Sequence, residues 1–323
     1  MPRDAQRESA DYSGAAVTAA SAPVVRDIPR ELAGLRLDQA LARLFPEHSR
    51  SRLAGWVKDG RVTVDASRVD PKHKVWGGER IALAPDEDAL AVADSPEAID
   101  LAVVYEDDDL MVLDKPAGLV VHPGSGNRRG TLLNALLHRL PGNAALPRAG
   151  IVHRLDKDTT GLMVVAKTLT AQTDLVRQLA ARTVRREYLA LAHGVVPGDG
   201  EVEAPIGRHP TARTRMAVVA RGKPARTRYR VAARLKGATL LECSLDTGRT
   251  HQIRVHLASI GHPLVGDPTY GPRRASGIPA LDEFPRQALH AARLALVHPS
   301  TGEACGWQAP APADFAALLE RLA

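Results

Sequence analysis

The chain has 323 residues, 44% hydrophobic and 25% charged, the balance of a folded protein with a sizeable core, which excludes a disordered or collagen-like polymer. Its 43 Lys and Arg against 37 Asp and Glu give a formal net charge of +6, a sign that suits a polyanionic partner without requiring one. Cys243 and Cys305 lie far apart with no CxxC or Cys/His spacing, so neither a disulfide framework nor a structural zinc site is expected.

Residues 1–28 read as a flexible tail. Within them GAAVTAASAPVV looks like a signal-peptide core, but the preceding MPRDAQRESADYS sets two arginines against three acids, where a secretory leader is positive. No run approaches the roughly 18 apolar residues of a membrane span. The expectation is a cytoplasmic protein with no membrane partner, acting as a monomer.

Residues 29–84 form a small basic module. RLDQALARLF puts Leu37, Ala40, Leu41 and Leu44 on one helical stripe, and Pro46 stops it. A second helix starts at the N-cap Ser49, turns Leu53, Trp56 and Val57 inward, and ends at Gly60. RVTVDA and GERIALA follow as strands. Residues 34–84 hold ten basic and six acidic side chains, with Arg36, Arg43, Arg50, Arg52 and Lys58 on the helices. Residues 85–100 reverse the charge, with six acids, two prolines and no base, and read as a linker.

Residues 101–323 alternate strand patterns (LMVLDKP, GLMVVAK, EYLALAHGVV, TLLECSLDT) with helix patterns (TLLNALLHRL, TAQTDLVRQLAAR, THQIRVHLASIG). The fold class is therefore α+β, with a mixed or mainly antiparallel sheet flanked by helices. HPGSGNRRG lacks a phosphate-loop spacing and reads as a loop beside a ligand. His251 and His256 are five apart, one too many for a helical zinc pair, so no metal is expected. Residues 204–241 carry ten bases and no acid, which favours a surface that tracks phosphates, with Arg208, Arg213, Arg215, Lys223, Arg226 and Arg228 among the contacts.

HRLDKDTTG, residues 153–161, crowds opposed charges between two apolar runs. The bland reading is a solvated turn with ion pairs of little energetic weight. The functional reading is a cleft carboxylate kept ionised by an arginine and able to act as a nucleophile. Composition leaves both open, and leaves Asp156 and Asp158 equal.

GIVHRLDKDTTGLMVVAK resembles the catalytic motif of the RluA/RluD family of pseudouridine synthases. The likeness extends to DLMVLDKPAGLVVHPG, RREYLAL and TGRTHQIRVHLASIGHPLVGDPTYG, while residues 29–84 resemble an S4 RNA-binding domain of αL type. The resemblance implies a synthase domain over residues 101–323, with Asp156 as nucleophile, Tyr188 beneath a flipped uracil and Arg254 paired with the aspartate, in preference to Arg249. It further implies that Arg154 fills the gap left by the flipped base, that His153 and Arg249 belong to the RNA-binding set, and that Ile253 and Leu257 floor the pocket, with core packing an equal alternative. The partner implied is large-subunit ribosomal RNA, with helix 69 as the target loop and pre-ribosomal particles as a further partner, and no cofactor. Alternatives are an RluC- or RluA-type synthase acting on other ribosomal or transfer RNA uridines, or an RNA-binding assembly factor without activity.

Overall fold

A computed structural model describes residues 23–46, 48, 50–84, 95–124, 127–212, 214–272 and 274–323. The chain divides into two compact units, Met1–Ala91 and Val92–Ala323.

The first unit contains β1 (Val24–Asp27), a 3-10 turn at Arg30–Leu32, α1 (Leu37–Leu44), α2 (Arg50–Lys58), β2 (Val62–Val64), β3 (Ser67–Arg68) and β4 (Arg80–Leu83). Its antiparallel sheet has the order β1-β4-β2-β3. The helical stripe closes as its spacing requires: Leu37, Ala40 and Leu41 of α1 and Leu53, Trp56 and Val57 of α2 bury against Val62, Val64, Ile81 and Leu83. The tail expected over residues 1–28 is shorter than that. Val24–Asp27 pair with β4, Val24 opposite Leu83 and Asp27 opposite Arg80, which supplies partners to backbone groups that β4 would otherwise leave open at the sheet edge. The remaining tail residues up to 22, and the cap Ser49, lie outside the described residues.

The second unit runs β5 (Ala102–Glu106), β6 (Leu110–Lys115), α3 (Leu132–Arg139), 3-10 turns at Pro141–Ala145 and Pro147–Gly150, β7 (Thr160–Ala166), α4 (Leu169–Ala181), β8 (Arg185–His193) and β9 (Gly200–Glu203). It continues with the hairpin β10 (Ile206–Arg208) and β11 (Met216–Val218), then β12 (Arg226–Leu235), β13 (Ala238–Leu245), α5 (Gln252–Ser259), α6 (Pro279–Asp282), β14 (Leu289–Val297), β15 (Ala304–Gln308) and α7 (Ala313–Leu322). Among the described residues nine strands form one sheet in the order β5-β6-β7-β14-β8-β13-β12-β9, with β15 beside β14. Of the pairs described in it, only β7 and β14 run parallel. This is the α+β class with a mixed, mainly antiparallel sheet.

The apolar runs of β6 and β7 are explained by cover on both faces. Met111, Leu113, Met163 and Val165 face α3 and α5 together with Tyr188, Leu241 and Cys243. Leu110, Val112, Leu162 and Val164 face α4 with Ala171 and Leu175. Residues 85–94 of the expected linker are outside the described set; its end belongs to the second unit, where Ser95 O accepts from Asn134 Nδ2 at 2.8 Å and Glu97 accepts from Arg129 Nε and Gly130 N at 3.1 Å.

Candidate active site

HRLDKDTTG crosses from the turn at Pro147–Gly150 into β7, and its backbone is held by buried cations. Lys115, at the end of β6 and without exposed surface, donates from Nζ to the Lys157 carbonyl at 2.8 Å and to the carbonyls of Pro116 and Leu119. Arg286 donates from Nη1 to the Asp158 carbonyl at 3.2 Å, and its remaining edge is clamped by both carboxylate oxygens of Asp314 on α7 at 2.7 and 2.8 Å. Gln287 Nε2 donates to Thr159 Oγ1 at 3.1 Å. Gly161 closes the crossing at φ +113°, where a Cβ would stand 2.3 Å from the Ala291 carbonyl of the parallel strand β14. The opposed charge in the sequence therefore serves a loop whose carbonyls are pinned from behind while one carboxylate faces forward.

That carboxylate is Asp156. Its Oδ2 accepts from Arg254 Nη1 at 2.8 Å, whereas its Oδ1 lies 3.8 Å from His251 Nε2. Arg254 comes from α5 with its side chain 5% exposed, and its other edge is bidentate on Asp267, Nε to Oδ2 at 2.7 Å and Nη2 to Oδ1 at 2.9 Å. Asp267, with no exposed side-chain surface, also accepts from the amides of Thr269 and Tyr270. Burial would push the Asp267 carboxyl up, but the hydrogen bonds and charge of Arg254 hold it below the ordinary range. Burial likewise opposes the Arg254 charge, and Asp267 and Asp156 together raise its pKa. The guanidinium is thus fixed in orientation before any substrate arrives.

Tyr188 sits on β8 between Cys243 of β13 and Ala291 of β14, 6% exposed, with burial raising its phenol pKa and the Asp156 charge adding to that. Ile253 packs in the same cluster with Leu155. Leu257, also offered as pocket floor, has no exposed surface and packs in the same core cluster. His251 takes the left-handed conformation at φ 57° as the residue before α5, and its Nδ1 pairs with the Tyr270 hydroxyl at 2.8 Å. Tyr270 in turn accepts from Met216 N and lies under the Arg254 guanidinium, 5.1 Å from Cζ to ring centre. Burial lowers the His251 pKa against the raising effect of Asp156.

The structure relocates several side chains expected to touch RNA. His153 is not a surface RNA contact: its Nε2 accepts from Val164 N at 3.1 Å, and burial, with Arg186 nearby, lowers its pKa to about 3, so the ring is a neutral part of the β7 crossing. Arg249 does not pair with the aspartate, since its Nε donates to the Pro224 carbonyl. His256 spends both ring nitrogens on Thr227 Oγ1 and the Ala204 carbonyl. Arg154 is exposed on the loop beside Asp156. Among the described residues no three His, Cys, Asp or Glu side chains are grouped to hold a metal ion.

Within the cation surface expected over residues 204–241, at least three of the ten bases pair with acids from other segments of the chain. Arg226 pairs with Glu201 of β9 at 2.6 Å, Arg228 with Asp246 at 2.8 Å, and Arg230 with Glu242 of β13 at 2.6 Å. Antiparallel pairing places these acids opposite the arginines, which a window along one strand cannot reveal. Arg208, Arg215 and Lys223 are exposed around the β10–β11 hairpin, and Arg213 lies outside the described residues. In the first unit Arg36 and Arg50 both pair with the buried Asp38, at 3.0 and 2.8 Å, while Arg52 is half-buried and Lys58 exposed on α2.

Burial lowers the Lys115 ammonium to about 8, against Asp158 and Asp156, which raise it. Between about pH 8 and the unfolded value of 10.5 the unfolded chain holds a proton that the folded chain has released, so folded stability rises with pH across that window. Lys115→Met should flatten this rise in unfolding titrations from pH 8 to 10. An unaltered slope would show that the buried amine does not titrate there.

The sequence alone does not single out Asp267, His251, Tyr270, Lys115 or Arg286 for these roles. Asp267 and Tyr270 lie in GDPTYG and Lys115 in DKP, so their signal is a charged or aromatic residue inside otherwise apolar, glycine- or proline-marked phrases.

A model of the RNA pseudouridylate synthase family matches residues 109–259, and an S4 domain model matches residues 35–81. The chain belongs to the RNA pseudouridine synthase family and is an RNA-modifying isomerase with an S4 domain. It is 57% identical over 299 residues to the ribosomal large subunit pseudouridine synthase D of Nitrosomonas europaea, covering 91% of this chain and 86% of that protein. To the protein of the same description from Escherichia coli O157:H7 it is 55% identical over 295 residues, covering 89% and 90%. Among solved structures, human RNA pseudouridylate synthase domain containing 4 is 26% identical with a TM-score of 0.54, over 73% of this chain and 95% of that one.

Proposed function

We propose that the protein converts uridines to pseudouridine in large-subunit ribosomal RNA, in the loop of helix 69, and that Asp156 is the nucleophile. The observation that carries the chemistry is the asymmetric Asp156 carboxylate, with one oxygen tied to a prepositioned Arg254 and the other left to meet substrate. The relatives named for the ribosomal large subunit support the RNA class.

A hydrolytic glycosidase needs a second carboxylate to protonate the leaving group. Asp267 cannot supply it, because Arg254 and two backbone amides hold its buried carboxylate in the ionised form, with no proton to give. Isomerisation needs no such acid: the N1 glycosidic bond breaks, the uracil stays in the pocket as a stabilised anion, C5 forms the new bond to C1′, and the proton that C5 then loses is balanced by one gained at N1. Tyr188 stacks under the everted base, Arg154 occupies the vacated place in the RNA, and flipping is cheapest in a loop where little stacking is lost. The protein acts as a monomer in the cytoplasm, on free ribosomal RNA or pre-ribosomal particles.

Purified protein, incubated with a large-subunit ribosomal RNA transcript and no added cofactor, should leave pseudouridines in the helix 69 loop when the product is mapped at nucleotide resolution. Modification confined to other positions would overturn the target, and no modification of any RNA would overturn the activity of this site.

A further inference from the structure

We propose that Trp76 of the S4 domain is a stacking platform for one unpaired RNA base, with Lys72 and Lys74 beside it on the flanking phosphates. Three tryptophans occur in the chain, and Trp56 is buried in the core of the first unit. Trp76 instead leaves 69% of its surface in water. A floppy turn could expose an indole by accident, but this one is framed. Glu79 accepts from Trp76 N at 2.5 Å and from Gly77 N at 2.7 Å, so its carboxylate caps the turn. Gly77 stands at φ +89°, and a Cβ there would meet the Arg30 Cα at 2.7 Å. The backbone is therefore built to hold the ring outward.

The exposed side chains on the strand that leads to the ring are basic, while the Glu79 carboxylate lies beneath the turn on its backbone amides. Residues 73–75 run extended against 34–37, with Leu37 N on the His73 carbonyl, Gly34 N on the Val75 carbonyl and Arg36 bridged to Lys74. Val75 is fully buried, so Lys74 and Trp76 on either side of it both face solvent. Lys72 and His73 are exposed as well. The acids close by in sequence are engaged: Asp70 accepts from Lys72 N, Glu79 is bonded to the turn, Asp65 accepts from Arg80 N, and Asp38 is locked between Arg36 and Arg50. Whereas Arg226, Arg228 and Arg230 of β12 pair with acids, neither lysine here makes an ion pair among the described residues. A flat aromatic face beside exposed ammonium groups that make no ion pair among the described residues suits a base and its phosphates, and a base must be unstacked to reach such a face.

The proposal rests on the protein acting on RNA, and it is read by binding, not by pseudouridine formation, so its failure leaves the proposed reaction untouched. The full chain is titrated into a fluorescein-labelled single-stranded oligoribonucleotide and into the same sequence as a duplex. Trp76→Ala should weaken single-strand binding about 5- to 150-fold, the equivalent of about 1–3 kcal/mol, with little change for the duplex. Trp76→Phe should keep most of the affinity, and Lys72→Ala with Lys74→Ala should lower the salt slope by about 0.7 for each phosphate no longer neutralised. Equal single-strand affinity for Trp76→Ala and the parent would overturn the platform and leave the exposed ring to a protein partner. An equal weakening on duplex and single strand would also overturn it, since stacking needs an open base.

Discussion

Asp156→Asn should bind its RNA as tightly as the parent chain and form no pseudouridine, with turnover reduced by more than about 10,000-fold. The amide keeps the shape of the carboxylate and its oxygen can still accept from Arg254 Nη1, so the loop pinned by Lys115 and Arg286 has no reason to move. What is lost is the anionic oxygen that lies 3.8 Å from His251 and that the proposed reaction uses as nucleophile. Single-turnover assays at saturating RNA, paired with binding titrations, separate the two effects. Retained turnover would remove Asp156 from its role, while weakened binding would show that the carboxylate shapes the RNA site. Asp158 is the internal control: its carbonyl is what Arg286 holds, so Asp158→Asn should be far milder.

Asp267→Ala has the second largest expected effect, and it acts through a residue away from the substrate. Removing a fully buried carboxylate leaves the Nε and Nη2 edge of Arg254 charged, desolvated and unpaired, which costs about 3–5 kcal/mol and lowers Tm by roughly 10 °C in a unit of this size. The two amides of Thr269 and Tyr270 lose their acceptor as well. Because Arg254 then has no fixed orientation, Asp156 loses its partner and kcat should fall by about a hundredfold, with KM for RNA little changed. Asp267→Asn, which keeps an acceptor oxygen, should recover part of the stability. Unchanged kcat in a folded Asp267→Ala protein would show that Arg254 needs no anchor.

The helices and strands were legible because their signals are local. The stripe Leu37, Ala40, Leu41 and the two-faced apolar runs of β6 and β7 state which sides must be buried, whatever they are buried against. The end of the tail was misplaced because VVRD is short and exposed, and becomes a strand only through its pairing with β4. His153 was placed in the RNA-binding set by the phrase it sits in, yet its ring accepts from an amide of β7, an arrangement set by how the crossing folds.

The sequence by itself determined the class of fold, an S4 module with a pseudouridine synthase domain, and it offered an aspartate, a tyrosine and an arginine for the site, each in a long phrase that resembles a family motif. The tertiary structure brought Arg254, expected from the family likeness, onto Asp156 across 98 residues, and it alone decided that Asp267 orients it and that acids from β9 and β13 pair with Arg226 and Arg230 of β12. The reason is physical: periodicity records what a residue must do for its own segment, whereas the partner of a charge is whichever group the packed sheet brings within about 3 Å, and distance along the chain carries no trace of that.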